Sequence, residues 1–349
     1  MATPEACMRR AISLSKRGYP APNPRVGCVI EREGEVVGEG WHAFAGGPHA
    51  EVAALGLAGA RAQGGTAYVT LEPCNHHGRT GPCSHALVAA GVKHVVAAVN
   101  DPNPKAGGGG KALVAAGVGF ESGFLAEEAS ATNAIWLGAM ERDRPFLVVK
   151  AAVSLDGRIA LPSGESRWIT GPEARRAAHR LRAELGAVLV GRRTVETDDP
   201  LLTARVRGVR NMPLRVVLDP RSKLTGNERM FGPEAQTLRF TAQKARTAHD
   251  VTVRTRNGGL DLELVLQELW SRGVTGLLVE GGATTTGGFF AARLVDRVEL
   301  FIAPRLLGAG PSWLADFLAP TLAAAPRFHV RRVRRVGGDV WISLERIDD

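Results

Sequence analysis

One imidazole, one carboxylate and two thiols stand at the edges of predicted elements early in the chain, and bringing them together would fix much of the fold. His49-Ala50-Glu51 follows Gly46-Gly47-Pro48 and opens a stretch with Val52, Leu55 and Ala58 at helical spacing. Pro73-Cys74 ends a β-branched strand predicted over Thr66 to Leu71. Cys83 opens a helix predicted to Ala90, with Gly91 just past its end. A helix start favours negative charge, which lowers a cysteine pKa and stabilises the thiolate as a ligand. If His49, Cys74 and Cys83 hold one ion, two helix starts must face one strand end across a single crevice.

Hydrolytic removal of a ring amino group needs this set. Bulk water is too weak an acid, with a pKa of about 15.7, and a bound zinc lowers that to about 7. The ion needs three protein ligands and an open position. A carboxylate, here Glu51, must move the proton. Zinc deaminases carry H-x-E and P-C-x-x-C. The chain matches except that eight residues, Asn75 to Pro82, separate its cysteines. Two other readings stay open. His49 is an ordinary helix-start residue and the cysteines are small buried hydrophobes, or His76, His77 or His85 completes a closed structural zinc site, which leaves Glu51 without a role. Cys28 lies inside a predicted strand and Cys7 on a helix, so neither is expected to be a ligand.

The chain has 349 residues, and single cores stop growing near ~250–300 residues, so two domains are expected. The first half alternates: helix 4–17 with Gly18 as its cap, strands 26–31 and 36–39 joined at Glu33-Gly34, helix 49–58, strand 66–71, helix 83–90, strand 94–99. Gly107–Gly110 reads as a turn-forming loop, and 124–142 as one long helix. Asp143-Arg144-Pro145 then breaks the chain, giving domains 1–145 and 146–349. The second half alternates again: strand 147–153, helix 172–184, strands 187–191 and 214–218, helix 261–272, strand 276–280, helix 284–292, strand 297–303. Both halves are α/β with parallel pairing.

The net charge of +9 and pI near 9.9 suit either a nucleic-acid partner or anionic small molecules. Aromatics are only 5% of residues, too few for a base-stacking platform, and the one tight basic run, residues 331–335, alternates little with them. This argues against nucleic acid. No apolar run reaches the ~18 residues of a membrane span, and Arg9, Arg10, Lys16 and Arg17 punctuate the N-terminal helix, so no signal peptide is expected. With four cysteines too few for a disulfide framework, the expected compartment is the cytoplasm.

Several longer runs occur in order: Pro22-Asn23-Pro24-Arg25-Val26-Gly27-Cys28-Val29-Ile30, Gly38-Glu39-Gly40-Trp41-His42, Pro48-His49-Ala50-Glu51, and residues 68–83 from Tyr68-Val69-Thr70-Leu71-Glu72-Pro73-Cys74 to Gly81-Pro82-Cys83. In the second half come Lys150-Ala151-Ala152-Val153-Ser154-Leu155-Asp156-Gly157-Arg158, Ser163-Gly164-Glu165-Ser166-Arg167-Trp168-Ile169-Thr170 and Asp198-Asp199-Pro200-Leu201-Leu202-Thr203. Over nearly its whole length the chain resembles the bifunctional riboflavin-biosynthesis deaminase–reductases, in which the long interval between the cysteines is normal. The resemblance implies a cytidine-deaminase-like zinc domain followed by a dihydrofolate-reductase-like domain. The first would remove the 2-amino group of 2,5-diamino-6-ribosylamino-4(3H)-pyrimidinone 5′-phosphate. The second would reduce the ribosyl group to ribityl with NADPH.

By matching position, the resemblance places Asn23, His42, His76 and Arg79 at the deaminase substrate. It places Val153, Trp168, Thr194, Asp198 and Gly282 to Gly288, with Gly287 and Gly288 among them, at NADPH. Ser166, Arg182, Leu202, Arg205 and Glu280 fall to the reductase substrate, with Lys150 and Glu280 near the reacting carbon. Arg192, Arg193 and Arg221 are candidates for the 2′-phosphate of NADPH. The strand entering Gly281-Gly282 and a helix suits a pyrophosphate on its own, without the G-x-G-x-x-G of a Rossmann turn. The expected partner is a small pyrimidine ribose phosphate, with no membrane and with homo-oligomeric assembly. The rival reading is a tRNA base deaminase with an appended basic binding domain.

Overall fold

The computed structural model describes residues 1–76 and 81–347. Glu33 and Gly34 take left-handed dihedrals, φ 55° and 83°, the two-residue turn whose twist matches paired strands. They join β1 (Gly27–Arg32) to β2 (Glu35–Trp41) in antiparallel register. β3 (Thr66–Val69) pairs antiparallel with β1, and β4 (His94–Ala97) and β5 (Gly119–Ser122) follow in parallel. The order is β2-β1-β3-β4-β5.

Strand alternation sends neighbouring side chains to opposite faces. Val29, Tyr68 and Val96 meet Met8 and Leu14 of α1 (Pro4–Ser15). Cys28, Ile30, Val69 and Val95 face the other way, onto Ala54 of α2 (Ala50–Ala58), Leu87 of α3 (Cys83–Ala89) and Leu113 of α4 (Gly109–Ala115). Small residues set the closeness of this packing. A Cβ on Gly27 would lie 2.0 Å from the Ala11 carbonyl oxygen, and one on Gly40 2.2 Å from that of Ala50. Cys7 and Cys28 are buried in these two cores.

The helix expected over 124–142 is two helices, α5 (Ala126–Thr132) and α6 (Ala134–Arg142). Asn133 between them accepts from the Arg25 backbone N–H and donates to the Arg25 carbonyl, each at 2.7 Å. That side chain satisfies a distant peptide and takes its own backbone out of helical dihedrals. Asp143, at φ 49°, then ends α6. Met1–Asp143 with Gly208–Asn211 form one compact unit, and Arg144–Arg207 with Met212–Asp349 the other.

The second unit holds β6 (Phe146–Ser154), α7 (Pro172–Leu185), β7 (Ala187–Gly191), α8 (Arg192–Asp198), β8 (Leu214–Leu218), β9 (Thr237–Thr241) and β10 (Asp250–Thr252). A short hairpin, β11 (Thr255–Arg256) and β12 (Gly259–Leu260), leads to α9 (Leu262–Ser271), β13 (Gly276–Val279), α10 (Ala283–Ala291), β14 (Arg297–Ala303), β15 (Phe328–Val336) and β16 (Asp339–Arg346). Nine strands run in the order β10-β9-β8-β7-β13-β6-β14-β16-β15. Pairing is parallel from β10 to β14, and antiparallel for β14·β16 and β16·β15. The central strands are apolar on both faces, as expected where helices cover a parallel sheet; Leu189, Val216, Leu277 and Phe289 are fully buried in one core.

The basic run of residues 331–335 is edge strand β15. Arg331 pairs with Glu345 at 2.7 Å, and Arg332 and Arg334 stack over the Trp341 ring. Its arginines are therefore engaged within the sheet rather than gathered on a free basic patch. Among the described residues no helix is long and apolar enough to cross a membrane.

Candidate active sites

In the first unit three backbone ends converge. His49 caps α2 from extended dihedrals, Cys74 lies beyond β3, and Cys83 is the first residue of α3. The ligand atoms of His49, Cys74 and Cys83 all lie within 4.8 Å of one another. His49 Nδ1 is 3.3 Å from Cys83 Sγ and 3.5 Å from Cys74 Sγ. Tetrahedral zinc, with Zn–N of ~2.05 Å and Zn–S of ~2.3 Å, separates such atoms by ~3.6 Å. The trio therefore fits that ion. The four cysteines are unbridged. Cys74 is held down to about 4, because the Cys83 thiol donates to it and His49 adds a second bond against the cost of burial.

Glu51, in the first turn of α2, is 3% exposed and contacts Cys83. Burial pushes its carboxyl up to about 7. His42 is also buried and stands edge-on to His49, ring centroids 5.2 Å apart. Burial lowers the His42 pKa, so the ring is neutral. Its Nδ1 lies 2.9 Å from the Pro48 carbonyl, which assigns the proton there. Nε2 then accepts from the Asn23 amide at 3.0 Å. Asn23 and His42 are thus linked beside the metal trio. His76 is exposed just after Cys74. Arg79 and His77 lie outside the described residues.

In the second unit the charged centre is Glu280, immediately after β13. Arg182 of α7 grips it by two bonds, Nε–Oε1 at 2.6 Å and Nη2–Oε2 at 3.0 Å. Lys150 Nζ, from β6, is 3.7 Å from Oε2. Burial alone would raise the Glu280 pKa, but Arg182 and Lys150 outweigh it and hold it at about 2. Lys150 is lowered, by burial first. Arg182 also donates to the Thr203 carbonyl at 3.1 Å, while Arg205 bonds the Thr203 hydroxyl at 3.0 Å. Leu202, beside Thr203, is buried with φ 52°, a conformation costly for a non-glycine residue.

Two helix starts lie at the C-terminal ends of β7 and β13, the edge where open parallel sheets bind ligands. Gly191 precedes α8, and a Cβ there would meet Thr285 Oγ1 of α10 at 2.3 Å, so the starts of α8 and α10 are close. Gly282 caps α10 in extended conformation, and a Cβ on it would meet only Thr194 Oγ1, at 3.8 Å. That open approach to a helix start fits a dinucleotide phosphate. Gly287 is different: its Cβ would sit 1.6 Å from the Ala315 carbonyl, so its smallness serves packing within the chain. Gly288 would meet Leu262 at 3.5 Å. Val153 is buried, Ser166 half-buried and Trp168 exposed, with Arg175 over its ring at 4.6 Å. Asp198 accepts from Arg167 at 3.0 Å. Arg192 pairs with Glu196, and Arg193 and Arg221 are exposed.

Two family models divide the chain. "Cytidine and deoxycytidylate deaminase zinc-binding region" matches residues 1–99. "RibD C-terminal domain" matches residues 145–342. The riboflavin biosynthesis protein RibD of Escherichia coli is 42% identical, over 97% of this chain and 98% of that protein. The chain belongs to the bifunctional riboflavin-biosynthesis deaminase–reductase family. The Aquifex aeolicus RibD is 39% identical, over 97% of each. Among solved structures, Acinetobacter baumannii RibD superposes with a TM-score of 0.89 at 39% identity, covering 99% of each chain. A Thermotoga maritima diaminohydroxyphosphoribosylaminopyrimidine deaminase/5-amino-6-(5-phosphoribosylamino)uracil reductase gives 0.87 at 34%, again over 99% of each. The deaminase and reductase models imply Zn2+ and NADPH as the cofactors.

His179 escaped the sequence reading of this deaminase–reductase. It sits on α7 three residues before Arg182, with Nδ1 3.0 Å from the Thr203 carbonyl. Burial, reinforced by Arg182 and Arg205, lowers it to about 4, so it is neutral. Its i, i+3 spacing from Arg182 was the available signal.

Proposed function

We propose that residues 1–145 deaminate 2,5-diamino-6-ribosylamino-4(3H)-pyrimidinone 5′-phosphate and that residues 146–349 reduce the product. The result is 5-amino-6-ribitylamino-2,4-pyrimidinedione 5′-phosphate. The observation that carries this reading is the convergence of His49, Cys74 and Cys83 with buried Glu51 beside them. Zinc in that trio would acidify water next to the substrate. Glu51 takes a proton from the attacking water and passes it to the ring nitrogen. The carbon–nitrogen bond to the amino group then breaks as the hydroxyl left on that carbon becomes a carbonyl, and Glu51 carries the hydroxyl proton to the leaving nitrogen to complete ammonia. Asn23, oriented by the neutral His42 imidazole that accepts from its amide nitrogen, offers its amide oxygen to the heteroaromatic ring, and His76 and Arg79 are assigned to the rest of the substrate.

In the second half, NADPH supplies hydride to C1′ of the ribosyl group. Val153, Trp168, Thr194, Asp198 and the Gly282–Gly288 segment would hold it. Lys150 and Glu280 flank the reacting carbon. Arg205 offers its guanidinium to the phosphate, with Ser166 and Leu202 beside it; Arg182, expected from the sequence to share that clamp, has its paired donors committed to Glu280 and instead fixes that carboxylate. Four unbridged cysteines suit a reducing compartment, so the cytoplasm is the proposed location. Assembly as a homo-oligomer belongs to the same reading, and sedimentation measures it. Matches over nearly the whole chain to riboflavin proteins leave nothing that favours a tRNA deaminase.

Glu51→Gln tests the assignment. Ammonia release should fall ~10²–10⁴-fold, while zinc content and NADPH oxidation with already deaminated substrate stay unchanged. Normal deamination by that variant would refute the role of Glu51.

A further inference from the structure

Gly107–Gly110 and Glu72 have no part in the chemistry above, yet they enclose the residue that carries one metal ligand. Glu72 leaves β3 with its N–H bonded to the Val99 carbonyl at 2.8 Å. Its carboxylate then reaches across to the glycine run: Oε1 accepts from Gly110 N at 2.8 Å and Oε2 from Asp101 N at 3.1 Å. Asn75 N donates to the Ala106 carbonyl at 2.9 Å. Between these ties, Gly109 is buried directly against the chain, where a Cβ would lie 1.7 Å from the Pro73 carbonyl oxygen. Only a residue without a side chain lets the two backbones touch there.

The opposite side of the same peptide is also tied. Ser84 N donates to the Cys74 carbonyl at 3.2 Å, and the Ser84 hydroxyl donates to Asn75 Oδ1 at 2.8 Å. Cys74 is therefore pinned between the glycine run and the start of α3. A cysteine sulfur hangs from its backbone by a single rotatable bond, so fixing the backbone fixes the thiolate to one of a few positions.

We propose that Glu72 and the Gly107–Gly110 run are positioning elements that preorganise the Cys74 sulfur for zinc. Groups that orient metal ligands typically change affinity ~10–100-fold when removed. This inference rests on the zinc reading of His49, Cys74 and Cys83. Its test therefore starts with Cys74→Ser in the full-length chain: zinc bound as tightly as in the wild type would sink the zinc reading itself.

With that established, the metal-free protein is titrated with zinc against a fluorescent chelator. Glu72→Ala removes both acceptors and should weaken zinc ~10-fold or more. Glu72→Gln keeps one acceptor oxygen and should fall between Glu72→Ala and the wild type. Gly109→Ala should weaken zinc at least as much as Glu72→Ala. NADPH-dependent reduction of deaminated substrate, carried by the other unit, should persist and report that this second unit has folded, while a cooperative melting transition of the first unit reports the fold around Cys74. Melting with and without zinc separates positioning from support. A purely structural role lowers both melting temperatures equally and leaves the affinity unchanged, and that result overturns the proposal. If Gly109→Ala does not fold, the two Glu72 variants decide alone.

Discussion

Glu280→Gln isolates the charge of one buried carboxyl, because the amide has nearly the same shape. The substitution leaves Arg182 and Lys150, with side chains 14% and 16% exposed, without their counter-ion. Glu280 is held at about 2 against an ordinary value of 4.5. At ~1.4 kcal/mol per unit, that depression corresponds to about 3 kcal/mol of stability near neutral pH. Removing one partner of a buried pair costs ~3–5 kcal/mol, which agrees. A depressed acid stabilises the fold above its unfolded pKa and ceases to do so as pH falls through the folded value. The gap between wild type and variant should therefore be about 3 kcal/mol near neutral pH and shrink by about half near pH 3. Urea unfolding followed by tryptophan fluorescence at the two pH values measures it, since Trp168, Trp270, Trp313 and Trp341 all report on this unit. A gap that stays constant with pH would refute the ion-pair argument. So would one below about 1 kcal/mol near neutral pH.

Stripping zinc with a chelator should abolish ammonia release and lower the melting temperature of the first unit, while leaving the reduction of deaminated substrate intact. Calorimetry and the two separate assays check this. Asn133→Ala removes both bonds to Arg25 and should cost about 2 kcal/mol by urea unfolding. A loss under half of that would mean that water replaces the side chain.

Elements whose pattern is local were legible in the sequence. Strands 187–191, 214–218 and 297–303 and the Glu33-Gly34 turn are where periodicity and turn chemistry put them. The metal trio was legible because its residue types are rare and each sits at an element boundary. What was missed depends on contacts far apart in sequence. β15 alternates in space, but as an edge strand it is exposed on both faces and both carry arginine, so it read as a charged run. The break at Asn133 answers to Arg25, which no local window contains. The glycine run looked like a bare turn because its neighbour, Pro73, arrives through the sheet. His179 is one ordinary histidine until Thr203 and Arg205 come beside it.

The two cysteines are placed by separate elements, one by the exit of a strand and the other by the entry to a helix. The length of chain between them is therefore free of any geometric duty to the ion. Stretching that interval from two residues to eight is two doublings, worth only ~1.2 kcal/mol of closure entropy. A lineage of such enzymes can therefore lengthen and rewrite the interval between two of its ligands at small thermodynamic expense, with the chemistry they serve undisturbed.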